Sequence, residues 1–228
     1  MTGGLLQLVA YGAQDVYLTG NPQITFFKTV YRRHTNFAIE SIQQTINGSP
    51  DYGKRVTIPI SRNGDLIHKI LFEITLPRLT DPEQVGFDIL SDNYDRYVNY
   101  VGLRLLDTVE IEIGGQLIDR QYSSWMYIWN ELTLSIGKKH GFQDMIGADS
   151  DLTSFKESTL YVPLEFWFCR NIGLALPLIA LQYHEVKLNI TFGSWKNCTY
   201  NGTAYVFDSD VSGSIIPIKN VSCWVDYI

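Results

Sequence analysis

A histidine followed directly by a glutamate occurs once in the sequence, at His184-Glu185, and such a pair could begin a zinc-protease motif. That motif, H-E-x-x-H, needs two imidazoles one turn apart on one face of a helix. The position of the second histidine is occupied by Leu188, and the residues from Val186 onward alternate between apolar and polar types. We therefore predict a strand that begins after His184-Glu185, and no zinc site.

The other residues that could perform chemistry are scattered along the chain. A metal-binding cupin would need two histidines and a glutamate closely spaced on one strand, and no such group occurs. His68 falls on the apolar face of a predicted strand, where a hydrogen-bonded core histidine is expected. Cys169 lies among aromatic residues in EFWFCRN, which favours a buried, inert thiol. Without G-x-S-x-G or a glycine-rich phosphate loop, we predict no catalytic, cofactor-binding or metal site. A cupin-like enzyme remains an alternative.

Five Asn-x-Ser/Thr tripeptides are candidate glycosylation sites, beginning at Asn47, Asn189, Asn197, Asn201 and Asn220. The tripeptide is short enough to arise by chance, and the N-terminus lacks the basic region of a signal peptide. Of the five, Asn197 and Asn201 are the best placed because they lie in a predicted loop, and Asn47 is a further candidate. Three widely spaced cysteines without a CxxC pair indicate folding in a reducing cytoplasm.

Charge and length exclude two further classes of function. The net charge of −6 and the pI near 5.2 argue against nucleic-acid binding, because a phosphate-binding surface is basic. Lys28, Arg32 and Arg33 form one small basic cluster. The apolar run between Arg170 and His184 is interrupted by Pro177 and is shorter than the ~20 residues that a membrane-spanning helix needs.

Period-two alternation in short segments is the dominant pattern, and it predicts half-buried strands. A two-residue Gly114-Gly115 turn between two such segments predicts a hairpin. The inward-facing residues are predicted to be Val56, Ile58, Ile60, Ile70, Phe72, Ile74, Leu76, Val109, Ile111, Ile113, Val186, Leu188, Ile190, Phe192, Val221, Cys223, Val225 and Tyr227.

Helical patterns are sparse. The best is SSWMYIWNELTLSIG, in which one apolar stripe predicts a helix that lies against a sheet; its residues are Trp125, Ile128, Trp129, Leu132 and Ile136. Ser123 or Ser124 could cap its start, and Gly137 could end it. A shorter helix is predicted near residues 93–102. Long loops are expected over 78–107, 137–158 and 193–214. The whole pattern favours an all-β jelly-roll sandwich with a short helical insertion.

Two long blocks of the sequence resemble a known family. The opening GAQDVYLTGNPQITFFKTVYRRHTNFAIES and the later YVPLEFWFCRNIGLALPLIALQYHEVKLNITF are similar to the major capsid protein of the large nucleocytoplasmic DNA viruses, such as phycodnaviruses and iridoviruses. The hairpin DTVEIEIGGQLID and the tryptophan-rich helix after it are similar as well.

The resemblance implies a structural protein and no enzyme. Family members fold as two consecutive jelly rolls, form homotrimers with a pseudo-hexagonal outline, and tile an icosahedral capsid over an internal membrane. Residues 1–36 would form an arm facing the capsid interior, and 37–228 would form the first jelly roll. Lys28, Arg32 and Arg33 would approach minor capsid proteins or lipid. The protein would be located in the virion and assembled in the host cytoplasm.

Two expectations follow for the chain itself. It ends at NVSCWVDYI in mid-alternation, so we expect a fragment of a protein about twice as long. Residues 163–183, braced by Pro163 and Pro177, are expected to form a tight, largely buried connection that crosses the sandwich. The alternative function, from another class, is a carbohydrate-binding jelly-roll module in which loop aromatics such as Trp195 stack on sugar rings.

Overall fold

The computed structural model of this chain describes residues 36–79, 95–148, 156–201 and 216–228, and the account below concerns them. The chain divides into two units, Met1–Ala38 and Ile39–Ile228, and the second contains nearly all of the described residues. The predicted N-terminal arm over 1–36 lies outside the described residues except at its last position, so it stays a prediction.

The described residues form eleven strands, five helices and two 3-10 turns. The strands are β1 (Glu40–Gln44), β2 (Arg55–Pro59), β3 (Leu66–Leu76), β4 (Asp95–Tyr97), β5 (Leu106–Ile113), β6 (Gln116–Tyr122), β7 (Ser158–Pro163), β8 (Leu176–Pro177), β9 (Val186–Phe192), β10 (Thr199–Asn201) and β11 (Asn220–Tyr227). The helices are α1 (Val101–Leu105), α2 (Ser123–Thr133), α3 (Ile136–Ile146), α4 (Trp167–Arg170) and α5 (Trp195–Cys198). The 3-10 turns are Ile172–Leu174 and Leu178–Leu181.

Two antiparallel sheets make the sandwich. The first sheet has the order β1-β11-β3-β7, with the short β8 also paired to β3, and the second has the order β2-β9-β5-β6. When β4, β8 and β10 are set aside, the eight principal strands run 1-8-3-6 in one sheet and 2-7-4-5 in the other. From each principal strand to the next along the chain, the polypeptide changes sheet, except within the β5–β6 hairpin. This order is that of a jelly roll, and the predicted fold class is confirmed.

The hydrophobic core is formed by the residues that the alternation in the sequence predicts to face inward. Successive side chains of a strand point to opposite faces, so every second residue of a half-buried strand enters the interior between the sheets. The predicted inward-facing residues of β2, β3, β9 and β11 are all buried, and they belong to one hydrophobic cluster that also takes in α1 and α4. In β5, Val109 and Ile111 are buried whereas Ile113, at the turn, is only partly buried.

The Gly114-Gly115 hairpin is confirmed. Both residues have positive φ angles, +61° and +83°, as a two-residue hairpin turn requires. A side chain at position 114 would also collide with a neighbour, because its Cβ would lie 2.6 Å from His184 Nδ1. The Gly114 N–H donates to the Glu185 carbonyl at 2.9 Å. His184-Glu185 therefore leads into strand β9 beside this turn, as predicted.

Helix α2 forms where its pattern predicts, but both predicted ends are wrong. The N-cap is Tyr122 in an extended conformation, so Ser123 and Ser124 lie inside the helix. At the other end, the N–H of Leu134 bonds to the Asn130 carbonyl and the chain turns extended there. Gly137, the predicted end, belongs to the next helix.

Two other local predictions are wrong in part. Residues 137–158 were expected to be a loop, yet α3 occupies Ile136–Ile146; its sequence has two glycines and a single buried residue, Ile146, so it lacks the apolar stripe that identifies a helix. The helix predicted near 93–102 is replaced at its start by β4, which pairs with the distant β10. Only α1, beginning at Val101, is helical.

Candidate functional site

The predicted inner-face residues Lys28, Arg32 and Arg33 lie outside the described residues, and so does the side chain of Asn201. In the part of the chain that the structure describes, no group of three or more His, Cys, Asp or Glu side chains could hold a metal ion. Among the same residues, no helix has the length and apolar character needed to cross a membrane.

The candidate glycosylation sites differ in how their tripeptides are placed. Asn47 is exposed, and Ser49 of the same tripeptide is exposed too. Asn197 is also exposed, but Thr199 is buried and its hydroxyl donates to the Trp195 carbonyl at 3.0 Å. Asn189 is buried in the second sheet. Asn47 therefore has the more accessible tripeptide in the folded chain.

The three cysteines are free thiols, and none is positioned as a nucleophile. Burial raises the pKa of Cys169 to about 12 and that of Cys198 to about 12, and it raises the pKa of Cys223 further. A thiolate is the reactive form of cysteine, so these groups are held in the unreactive one. Cys169 was predicted to be buried because aromatic residues surround it in the sequence. In the structure it is only half-buried.

The three histidines in the described residues, His68, His140 and His184, do not form a cluster that could bind a metal. His68 is half-buried and not a core residue, and its Nδ1 lies 3.2 Å from the Phe168 carbonyl oxygen. His140 is exposed on α3 and pairs with Asp144 at 3.0 Å. The hydrogen bond predicted for His68 is therefore present, but its predicted core position is wrong.

The outer face of the second sheet is covered by polar side chains that bond to one another. The Glu110 carboxylate is buried between two guanidinium groups, with Arg55 Nη2 at 2.7 Å and Arg120 Nε at 2.6 Å. Beside it, the Asn189 amide accepts from Thr57 Oγ1 at 2.7 Å and donates to a Glu112 oxygen at 3.2 Å. The charged and hydrogen-bonding groups of these side chains are therefore paired with one another across neighbouring strands.

The outer face of the first sheet is also polar and internally bonded. Trp224 Nε1 donates to Glu73 Oε2 at 2.9 Å, and Gln43 donates to the Ser222 hydroxyl at 3.2 Å. An open groove of about 640 Å³ runs over this face toward Tyr161. Its lining mixes apolar side chains with polar ones, among them Lys69, Glu73 and Asp226.

Helix α2 turns its apolar side outward, so the prediction that this stripe lies against a sheet is wrong. Its buried residues are Met126 and Asn130, and the Asn130 amide donates to the Met126 carbonyl at 2.8 Å. Trp125 and Ile128 are about half exposed, Leu132 is 78% exposed and, at the start of α3, Ile136 is 93% exposed. We call these four residues (Trp125, Ile128, Leu132 and Ile136) the α2 stripe.

The fifth residue of the predicted stripe, Trp129, is held by its neighbours. The Arg170 guanidinium carbon lies 3.9 Å from the centroid of the Trp129 ring, and Trp125 also contacts it, with ring centroids 5.8 Å apart. Trp129 also hydrogen-bonds the Glu165 side chain; burial nevertheless raises the pKa of Glu165, against the opposing effect of Arg170. Helix α2 is thereby fixed to the segment around α4.

A second apolar surface lies in the connection between α4 and β9. The residues just before it, which belong to the same predicted connection over 163–183, are buried as predicted at Leu164, Phe166 and Phe168. Beyond Arg170 the prediction of burial is wrong: four large apolar residues are more than half exposed, namely Ile172, Leu174, Ile179 and Tyr183. We call these four residues the 172–183 surface. The charge-free run over 171–183 is the signal in the sequence that could have identified it.

Trp195, the residue proposed to stack on sugars, is not free to do so. Its ring meets the edge of Tyr52, with centroids 4.9 Å apart, and it is only partly exposed. Most of the remaining loop, 202–215, lies outside the described residues. The described geometry therefore gives no support to the carbohydrate-binding alternative at Trp195.

Comparison with known proteins identifies the family. The family model for the major capsid protein N-terminus matches residues 25–228. The major capsid protein of Pyramimonas orientalis virus is 51% identical over 100% of this chain and 53% of its own length. That of Phaeocystis pouchetii virus is 48% identical over 100% of this chain and 48% of its own length.

A solved structure agrees with the family model and with the two relatives. A chain of the quasi-atomic model of the PBCV-1 virus capsid matches with a TM-score of 0.69 and 42% identity, over 89% of this chain and 45% of that one. This chain thus spans about half the length of the relatives that it matches. On this evidence the chain belongs to the major capsid protein family of the large nucleocytoplasmic DNA viruses, and it corresponds to the N-terminal part of that family.

Proposed function

We propose that this protein is a structural building block of a viral capsid and performs no chemical reaction. Its copies associate into homotrimers with a pseudo-hexagonal outline, and neighbouring trimers tile an icosahedral shell. The observation that carries the proposal is the family match over residues 25–228. The jelly-roll order of the eight principal strands supports it, because a sandwich held by a single core is a rigid unit suited to tiling.

The full-length protein would be about twice as long as this chain and would contain a second jelly roll. The support is the length of the relatives, since the chain covers only 48% of one and 53% of the other. Residues 37–228 would then be the first of two jelly rolls. Two such sandwiches in one subunit would give a trimer six similar sides, which explains the pseudo-hexagonal outline.

The inner side of the shell would be contacted by the N-terminal arm over 1–36. Lys28, Arg32 and Arg33 would meet minor capsid proteins or the headgroups of an internal membrane. Free, protonated thiols at all three cysteines agree with assembly in the host cytoplasm before the protein is enclosed in the virion. Of the candidate glycan acceptors, Asn47 has support from the exposure of its tripeptide, while Asn197 and Asn201 rest on the sequence alone.

The experiment is to express the full-length protein and measure its mass in solution by size-exclusion chromatography with light scattering. We expect a homotrimer at micromolar concentration. Electron microscopy of concentrated samples should show hexagonal arrays or closed shells. A full-length protein that stays monomeric and forms no larger array under any of these conditions would overturn the proposal.

A further inference from the structure

We propose that the α2 stripe of one copy of this protein packs against the 172–183 surface of a second copy. Every copy then carries both halves of the contact. This inference rests on the proposed function, because it supplies the surfaces through which the copies associate. The two surfaces are the α2 stripe (Trp125, Ile128, Leu132 and Ile136) and the 172–183 surface (Ile172, Leu174, Ile179 and Tyr183).

The outward orientation of the α2 stripe is built by specific contacts. A helix with apolar residues on one side ordinarily turns that side to the core. Here an asparagine, Asn130, is buried instead, and its amide is satisfied by the Met126 carbonyl of the same helix. Trp129 packs against the Arg170 guanidinium and hydrogen-bonds the Glu165 side chain, and these two contacts tie the helix to the segment around α4. The exposed stripe is therefore a fixed feature of the folded protein.

The 172–183 surface is fixed in the same way. Asn171 accepts a hydrogen bond from the Gly173 N–H at 2.9 Å, which holds the first 3-10 turn. At the other end, the Arg62 guanidinium donates to the carbonyls of Leu181, Gln182 and His184. A surface held by several hydrogen bonds loses little conformational freedom when it is buried, so association costs less.

Both surfaces lack the charges that oppose burial. Helix α2 has one charged residue in eleven, Glu131, and that residue is paired with Lys139. Residues 171–183 contain no charged residue at all. By contrast, the outer faces of the two sheets carry charged groups, such as Glu110 and Glu73, whose desolvation would be costly. The low charge of these two surfaces therefore suits a dry contact between copies.

The exposed areas fit a contact that uses both surfaces. At the roughly 150–250 Å² that a large side chain can bury, the exposed parts of the α2 stripe come to about 500 Å². The 172–183 surface exposes a similar area by the same reckoning. One surface against the other would bury about 1,000 Å² in total, which is the approximate size that a specific interface should reach.

The pairing of two different surfaces also determines the symmetry. A contact between unlike surfaces repeats from copy to copy and closes into a ring when the rotation permits. A two-fold contact of the α2 stripe with itself would leave the 172–183 surface exposed on both copies. The contact between unlike surfaces covers both, and it is the kind that a closed trimer requires.

The first test is a photo-crosslink in the full-length protein. A photoreactive phenylalanine analogue replaces Leu132, and ¹⁴N-labelled and ¹⁵N-labelled proteins are mixed and assembled before irradiation. We expect cross-linked peptides that join position 132 of one isotope to residues 172–183 of the other. The same analogue at Thr159, which is exposed on strand β7, serves as the control and should not reach that segment. Cross-links within one isotope only would show that another part of the same polypeptide covers the stripe, and would overturn the inference.

The second test uses charge. Leu132→Asp and Ile179→Asp should each weaken association of the full-length protein by at least about ten-fold, as loss of a central apolar contact does. Leu132→Asp combined with Ile179→Lys should recover part of that loss, since the new charges would face each other. Thr159→Asp is the matched control. If wild-type protein assembles and the single variants assemble equally well, this inference fails and the proposed function stands. If wild-type protein does not assemble, the proposed function itself fails.

Discussion

Strand β9 and helix α2 each have one apolar side, but they use it differently. Strand β9 lies between β2 and β5 in the second sheet, and its apolar residues Val186, Leu188, Ile190 and Phe192 are all buried. Helix α2 lies on the flank, against α1 and the β5–β6 hairpin, and it exposes Leu132 while burying Asn130. Both elements obey the same hydrophobic preference, but only β9 finds its apolar partner within the described part of the chain.

The comparison separates two roles for apolar surface. Residues that pair within the sandwich contribute to folding of the single chain, and their loss should appear as lower stability. Residues on the α2 stripe lie outside this core, and their loss should affect association between copies. The five predictions below test that separation, from the largest expected effect to the smallest.

The same substitution in the two regions should give very different results. Leu188→Ala removes a fully buried side chain and should lower the free energy of unfolding by about 2–5 kcal/mol, through lost burial and the cavity left behind. Leu132→Ala removes an exposed side chain and should change it by less than about 0.5 kcal/mol. Urea denaturation at low protein concentration measures both. A loss of 2 kcal/mol or more at Leu132 would mean that the stripe packs inward.

Thiol labelling should distinguish the interior from the flank. Because burial raises the pKa of Cys198 to about 12, its thiolate fraction at pH 8 should be about a thousand-fold lower than that of a free thiol. Alkylation followed by mass spectrometry should therefore be very slow in the native protein and fast in denaturant. Half-buried Cys169, on the α4 segment, should react before Cys223, inside the sandwich. Equal rates at all three would show that the flank and the sandwich open together.

The same thiols set a pH dependence. Folding raises their pKa values above the ordinary value of 9.0, so their contribution to stability is complete below that pH. It is lost as the pH rises through 9 toward 12. Alkaline denaturation of a variant with Cys198→Ala should show a smaller loss over this range than the parent protein does.

Alanine substitutions at Gly114 and Gly115 test how much the hairpin turn at the end of the sandwich contributes to stability. Gly115→Ala should cost about 1 kcal/mol, because φ is +83° and no neighbour is close. Gly114→Ala should cost about 2–3 kcal/mol, because the strain at φ +61° is joined by the collision with His184. Adding His184→Ala should recover the difference between the two. If both glycine variants lose equal stability, His184 does not press on the turn.

The smallest effect concerns the contact between α2 and the α4 segment. Burial raises the pKa of Glu165, so the protonated carboxyl is more favoured in the folded protein than in the unfolded chain. The associated stability is complete below the ordinary pKa and is lost as the pH rises through the raised one. Glu165→Gln should flatten this dependence by less than about 1 kcal/mol, since the group is partly exposed. Thermal unfolding from pH 4 to 8 measures it, and an unchanged profile would contradict the assignment.

The sequence was sufficient where the deciding interactions are local or periodic. Alternation in β3 and β9 identified the strands and their buried faces, and Gly114-Gly115 identified the hairpin through its backbone conformation. It was insufficient where a distant partner decides. Tyr97 lies in a strand and not a helix because β10 pairs with it from about a hundred residues away. Ser123 does not cap α2, because strand β6 continues to Tyr122 and the helix begins immediately afterwards.

The two apolar surfaces show the same division between what the local sequence pattern decides and what distant contacts decide. Composition and charge pattern marked both apolar segments, the stripe in SSWMYIWNELTLSIG and the charge-free run over 171–183, as amphipathic or buried. They could not indicate what each segment would face. Only the tertiary structure decided that, by holding Trp129 against Arg170 and the Leu181 carbonyl against Arg62. The hydrophobic effect has no direction, so a pattern of apolar residues favours burial of a face but does not specify which surface covers it.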